Sequence, residues 1–552
     1  MKTVKVIEFI LVIFIACLSA WLVYVQSLTF TPLIDYSYQM ENAYRIYLGD
    51  IPYRDIFMVL APGIYYVLAL MMNFFGGYNH AISALYMCTV TFAIVIVAHA
   101  VLRQFAVFTL TRLVLLTVLI SGGHAWVLNP NYDVTSSLVI TGSVLWLTHV
   151  WKKESASLIH WFIAGVLVAM VQIFKQNIGL MYLVSMILTY GFAALVSRKK
   201  SVLKTWVAMV SGALFLTSVY VGWEVANHAI TQWYYQLFGI VRSTLDPLEP
   251  VKRVNWIFTD VLIHRFSEWS PKAVAFILFV LAAWKFRLKS ITTIASGLVT
   301  VLVFAMYPIK QIYDVSYPYF WVVLSVFSIA LFLYLFISDK RNRLDPQIYL
   351  VLPLLATAFM PRGNYGMYPL GVIVIAWFVH YWKKSFMVLS PEPIVIAAVF
   401  IFSMGFLYGT IHIWDVMGYR NDGPIYTSRM GTLAGLSTPG TWIPNMEDMF
   451  SYVQSHIPRN DAVVFIPGED PFYSYTKRHN PLPYSYMGPV GAPKDVGQWM
   501  DLVRAAHIRW IIVKTDVQCW WAYQDMKPYI SAFSKYYDLV EVRNNYSFYR
   551  LR

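Results

Sequence analysis

Runs of about twenty apolar residues with almost no charge recur along this 552-residue chain, and a helix of that length just spans the hydrocarbon core of a bilayer. They lie at 5–25, 81–102, 106–122, 134–151, 157–174, 178–197, 204–223, 271–285, 290–307, 318–338, 346–360, 367–382 and 392–411. Inside hydrocarbon each backbone N–H and C=O needs a partner from the protein, which a helix supplies from its own turns. The expected class is an α-helical polytopic membrane protein with about 13 transmembrane helices. Composition agrees: 58% of residues are hydrophobic and 13% charged, where soluble domains carry about a quarter charged. An aromatic share of 17%, with 39 Tyr and 20 Trp, suits many helix ends at headgroup level. Lys2 and Lys5 precede the first run without a small-residue cleavage site, which reads as a retained anchor.

The formal charge of +13 raises the question of nucleic acid. Lys and Arg fall between apolar runs instead of along one face or in a tail, so they read as cytoplasmic loop charge, and no nucleic-acid partner is expected. Three cysteines, Cys17, Cys88 and Cys519, suggest neither a disulfide framework nor a Cys-based metal site.

One apolar stretch, 57–76, is settled by parity, because each added span flips the side of every later loop. If it does not cross, six basic groups share the side of the N-terminus: Arg103 and Arg112; Lys152 and Lys153; Arg198, Lys199, Lys200 and Lys204; Lys285, Arg287 and Lys289; Lys340, Arg341 and Arg343; Lys383 and Lys384. Short basic loops belong in the cytoplasm, and crossing would move all six outside. The stretch also holds Pro62-Gly63, which breaks a regular helix. It is expected to be a juxtamembrane helix inside an outer loop, 26–80. A second outer loop covers 224–270, so residues 1–411 form the membrane domain. From 412 to 552 the chain turns polar, and "DAVVFIPG" and "IRWIIVKTD" read as strands between helical stretches. A small extracytoplasmic α/β domain is expected there, closed by a hairpin "YYDLVEVRNNYSFYRLR" that turns at Asn544-Asn545.

An acid just beyond the first span, then "YLGDIPYRD" and "APGIYYVLALMMNFFG", resembles the GT-C class of integral-membrane glycosyltransferases. Within that class the pattern is most similar to the branch of protein O-mannosyltransferases and lipid A aminoarabinose transferases. The resemblance implies transfer of a sugar from a polyprenyl-phosphate donor to a hydroxyl of a glycan, lipid or protein acceptor, in a cavity at the outer membrane face. It implies an integral membrane enzyme; the basic loops put the N-terminus in the cytoplasm, and the compact chain fits a bacterial inner or plasma membrane. A transporter or flippase of lipid-linked saccharides is the alternative; such folds show internal repeats and midplane charges, and neither is found here.

The resemblance assigns candidate residues. Asp35 takes the position of the family's catalytic acid, as general base toward the acceptor hydroxyl. The family usually has an Asp-Glu pair there. Here Tyr36 follows and the next acid is Glu41, so no metal ligand is assigned, and whether a divalent cation takes part stays open. Asp133 matches a second acid at a helix mouth, and Asp before a helical run also suits an N-cap. For the leaving phosphate and the sugar the candidates are Lys175, Arg362 with Tyr365 and Tyr368, and Lys310, with Lys252 and Arg253 in the long loop. Arg54 and Asp55 suit either a loop-fixing ion pair or a sugar contact. Glu224, at membrane depth, suits snorkelling or a cavity wall.

Overall fold

The computed structural model describes residues 2–28, 31–105, 107, 109–126, 130–153, 156–239, 324–325, 327–338, 343–358, 368–385, 423–488, 493 and 495–552. The expected spans at 271–285, 290–307 and 392–411 lie outside them, as does most of the loop 224–270.

The first apolar run forms α1 (Lys2–Ser27), and those that follow form α4 (His80–Gln104), α5 (Thr109–Trp126), α6 (Tyr132–Lys152), α7 (Leu158–Phe174), α8 (Gln176–Ser197) and α9 (Lys200–Ala226). Among the described residues five helices, α1, α4, α6, α8 and α9, are long and apolar enough to cross a bilayer. The chain is an integral membrane protein. Phe9, Phe14, Trp21, Leu188, Leu195, Leu214 and Phe215 face outward from α1, α8 and α9, a surface suited to lipid and not to water. Inside, α7 packs against α9 with almost no gap. A Cβ on Gly165 would run into the Met209 carbonyl, and one on Gly212 into the Phe162 carbonyl. Small residues at such crossings let helix backbones approach closely where lipid removes the usual hydrophobic drive.

The helix ends sort by charge. At one end lie Arg103 on α4, Arg112 on α5, Lys152 on α6 and Lys200 on α9. Lys152 Nζ donates to the Gln104 carbonyl at 2.6 Å, tying α6 to α4, and Arg112 bonds Glu8 of α1 through Nε at 2.8 Å. The opposite end holds the C-terminus of α1, the N-termini of α4 and α6, and the α7–α8 junction.

Between α1 and α4 run α2 (Leu33–Tyr47) and α3 (Gly63–Phe75). The 13 residues of α3 reach about 20 Å, short of the roughly 30 Å of a hydrocarbon core. It starts against α7, where a Cβ on Gly63 would meet the Ile173 carbonyl, and ends five residues before α4 begins. Both its ends therefore lie at the same end of the bundle, with Leu70, Phe74 and Phe75 exposed along it.

Residues 423–552 build a four-stranded sheet in the order β3 (Val463–Ile466), β4 (Trp510–Lys514), β6 (Tyr546–Leu551), β5 (Tyr537–Arg543). The β3–β4 pair is parallel, the other two antiparallel. Two further strands, β1 (Ile425–Thr427) and β2 (Ser437–Pro439), form a small ribbon. Both faces of the sheet are covered, which is why β3 and β4 read as unbroken apolar runs. On one face Phe548 of β6 meets Tyr452 of α13 (Trp442–His456) with ring centres 4.4 Å apart, while on the other Val464 and Ile466 share an apolar cluster with Trp499 and Val503 of α14 (Val496–Ala505) and Tyr529 and Phe533 of α15 (Lys527–Phe533). Here α10, α11 and α12 are Phe327–Ser338, Val351–Ala358 and Tyr368–Ser385. The β5–β6 turn is Asn544-Asn545, with Asn544 left-handed at φ 51°.

This unit docks on α2 and the loop after it. Arg45 donates to the Leu482 carbonyl at 2.8 Å, Phe57 N–H to the Pro483 carbonyl at 2.9 Å, and Ser485 Oγ bonds the buried Asn42 amide oxygen at 2.5 Å.

Candidate active site

Asp35 is the third residue of α2, and a carboxylate in a first turn is favoured by the partial positive charge of the helix N-terminus. Its side chain is exposed to solvent. The Asp35 charge bears on three neighbours: Tyr132, Tyr523 and Cys519. Burial, with the Asp35 and Glu469 charges added, pushes the Cys519 thiol up to about 12.

Asp133 sits in the first turn of α6 but does not cap it. Asn131 does, accepting from Asp133 N–H at 2.8 Å and Val134 N–H at 3.1 Å. Relieved of capping, the Asp133 carboxylate turns inward, is buried, and pairs with Lys175. Lys175 occupies the break between α7 and α8 in extended conformation, φ −150° and ψ 110°. Its ammonium stands 4.6 Å from the centre of the Tyr132 ring, over its face. Tyr132 is thus the shared neighbour: Lys175 lies on its face, and the charges of Asp133 and Asp35 both bear on its phenol.

Asp35, Asp133 and Lys175 therefore all act on Tyr132. Lys175, a candidate for the leaving phosphate in the sequence, is the ion-pair partner of Asp133, and the α7–α8 break aims it inward. Arg54 and Asp55 form an ion pair at 2.8 Å, and Asp55 also accepts from Ile51 N–H at 2.8 Å, which fixes the loop. The Arg54 guanidinium holds the Asp55 carboxyl below the usual range. Glu224 is buried at 1% exposure, which excludes snorkelling; its charge bears on Tyr53, Tyr66 and Tyr220. Arg362, Tyr365, Lys310, Lys252 and Arg253 lie outside the described residues, and Tyr368 is described only in its backbone, at the start of α12.

Sequence reasoning missed the tyrosines. Tyr38, one turn on from Asp35, meets Tyr65 edge-on at 6.2 Å and Tyr486 at 5.1 Å, and Tyr486 meets Tyr523 at 6.4 Å. The i, i+3 spacing from Asp35 was a usable signal for Tyr38; nothing local points to Tyr486 or Tyr523. The buried Tyr523 hydroxyl has no hydrogen-bond partner among the described residues. The loop above is pinned by Gln176, which accepts from Ala61 N–H at 3.0 Å and donates to the Val59 carbonyl at 2.7 Å. A shallow groove of about 490 Å³ on α9, lined by Leu214, Thr217, Ser218, Val221 and Gly222, contains none of these groups. Among the described residues no group of three or more His, Cys, Asp or Glu side chains converges to hold a metal ion.

Glu41 does not join Asp35, because six residues of helix rotate it about 240° away. It is buried against the C-terminal unit, accepting from Ser474 N–H at 3.0 Å and Ser474 Oγ at 2.5 Å. Burial pushes its carboxyl up to about 7, with partial relief from the Ser474 bonds. A folded value above the unfolded 4.5 means the folded state keeps a proton that the unfolded chain releases. Its contribution is therefore full below pH 4.5 and lost as pH rises to about 7, a swing of about 3 kcal/mol. Thermal unfolding across pH 4.5–8 is expected to show that slope in the wild type and a flatter one in Glu41→Gln; equal slopes would assign the titration to another group.

Comparisons with known proteins come from structure alone. No protein-family model matches the chain, and no curated protein does. Among solved structures it is similar to ArnT from Cupriavidus metallidurans bound to undecaprenyl phosphate, with 8% identity over 100% of this chain and 98% of that one, at a TM-score of 0.43. The same protein in the apo state gives 9% identity, 96% coverage of both chains and a TM-score of 0.42. The apo oligosaccharyltransferase of Archaeoglobus fulgidus gives 9% identity, 98% of this chain and 74% of that one, and a TM-score of 0.44. At such values a likeness transfers no residue's role to this chain.

Proposed function

We propose that the chain is a glycosyltransferase that moves a sugar from a polyprenyl-phosphate donor to an acceptor hydroxyl, with Asp35 as general base. The observation that supports this reading is that the exposed Asp35 carboxylate and the buried Asp133–Lys175 pair share Tyr132 as a neighbour, beside Tyr486 and Tyr523 of the C-terminal unit. In the proposed step Asp35 takes the acceptor proton as its oxygen bonds the anomeric carbon. The bond from that carbon to the carrier phosphate breaks, and the polyprenyl phosphate leaves with the electron pair, inverting the anomeric centre. The Asp133–Lys175 pair, fixed and largely desolvated, presents preorganised charge beside the reacting groups. Tyr38, Tyr486 and Tyr523 offer ring faces and hydroxyls to a sugar. The charge rule supports an extracytoplasmic location for the end of the bundle opposite the basic loops, with the N-terminus in the cytoplasm.

The test is to reconstitute the protein in vesicles with undecaprenyl-phosphate sugars and a panel of lipid, glycan and peptide acceptors. A new glycosidic product is the expected result. Movement of intact donor between leaflets with no product would overturn the proposal in favour of a flippase.

A further inference from the structure

The helix that carries Asp35 has no cap of its own. Its N-cap position is Pro32, whose side chain offers no acceptor, so the first helical amide, Leu33 N–H, lacks a local partner. Gln518, 485 residues away, supplies one: its Oε1 accepts from Leu33 N–H at 3.0 Å. The Gln518 amide is fixed from its other side, Nε2 donating to Thr438 Oγ1 at 2.7 Å.

The 518–519 backbone is held in turn. The N–H groups of Gln518 and Cys519 donate to the two oxygens of Glu469 at 3.0 and 3.1 Å. Glu469 pairs with Lys514 at 2.6 Å, and Lys514 with Asp470 at 2.7 Å. The Tyr546 hydroxyl donates to Asp470 at 2.7 Å, and the Lys514 ammonium lies 5.3 Å from the Trp442 ring centre. Gln518, Glu469, Asp470 and Lys514 are all at most 1% exposed. Two carboxylates and one ammonium buried this deeply are a poor source of stability, since desolvation cancels most of the attraction. What such a network does well is to fix one geometry.

We propose that Gln518 is a positioning residue for Asp35. The buried Lys514–Glu469–Asp470 cluster sets the 518–519 backbone, Gln518 holds the first amide of α2, and the first turn so fixed aims Asp35 toward Tyr132 and the Asp133–Lys175 pair. The inference rests on the reading of Asp35 as the base. It adds that the C-terminal unit is part of the catalytic apparatus by way of this clamp. The segment keeps a second tie, Thr31 N–H to the Ser437 carbonyl at 2.7 Å, so losing the clamp frays the first turn without undocking the unit.

The experiment uses the full chain in lipid nanodiscs and two readouts. Hydrogen exchange reads amides 33–38, and transfer from undecaprenyl-phosphate sugars reads kcat and KM. Gln518→Met, nearly isosteric, is expected to speed exchange at amides 33–38 at least tenfold. It should also lower kcat about 10- to 100-fold with donor KM within twofold, the cost of a misplaced catalytic group. Thr438→Val, which only frees the Gln518 amide, is expected to do the same more weakly, and Thr438→Ser to restore both. A purely structural role would lower thermal stability and leave kcat per folded molecule unchanged. Asp35→Asn separates the two readings. If it keeps full activity, the base assignment fails, while exchange still decides whether Gln518 clamps α2. If it is inactive and Gln518→Met leaves exchange and kcat at wild-type values, the clamp fails and the base stands.

Discussion

Asp35→Asn is expected to lower transfer by about two to four orders of magnitude, the scale of losing a general base, while the protein keeps its fold and its binding of undecaprenyl phosphate. Asn has the shape of Asp, and the position is solvent-exposed in a first turn clamped from elsewhere, so the structural cost is small. The lost group is the one carboxylate at this end of the bundle that is both open to water and in electrostatic contact with Tyr132 among the described residues. Single-turnover rates distinguish chemistry from product release. A variant within twofold of wild type removes Asp35 from the chemistry, and attention would pass to Asp133.

The second large effect concerns the buried pair. Lys175→Met leaves the Asp133 carboxylate without its counter-ion in a site where both side chains are nearly inaccessible, at 5% and 10% exposure. Breaking such a pair costs about 3–5 kcal/mol, because the orphaned charge stays desolvated. The expected result is a sharply lower unfolding midpoint in detergent. Replacing both partners by apolar residues, Asp133→Leu with Lys175→Met, should recover most of the stability and none of the activity, since packing returns and the oriented charge does not. If the single variant unfolds like wild type, the pair is solvated and contributes no preorganised field.

What could be read from the sequence was what is encoded locally. Spans α4, α6, α8 and α9 follow from length and hydropathy, and the 537–551 hairpin follows from two strand-like runs around Asn544-Asn545. Asp35 and Asp133 were found through their match to the positions of acids in the resembling family, and Lys175 as a cation on the outer side, where the charge bias makes one unusual. Their pairing was not legible. That Asn131 and not Asp133 caps α6 turns on a two-residue choice between side chains equally able to accept the bond. Gln518 over Leu33 and Ser474 over Glu41 join positions 485 and 433 residues apart, set by how the C-terminal unit docks and not by any local pattern. Tyr523 comes within reach of the Asp35 charge, and Tyr486 meets Tyr38, by the same docking.

If Asp35 is the base, it stands in an outward-facing chamber which receives the phosphate of a polyprenyl donor. That placement is tested most directly in a chain with Cys17, Cys88 and Cys519 replaced by Ser, carrying either Asp35→Cys or, at the basic end, Arg103→Cys. Each is labelled with a membrane-impermeant maleimide from one side of sealed, oriented vesicles. Position 35 is expected to react only from the outer side and more slowly with undecaprenyl phosphate bound, and position 103 only from the inner side. Labelling of both positions from the same side, or no protection of position 35 by saturating undecaprenyl phosphate, would contradict that placement.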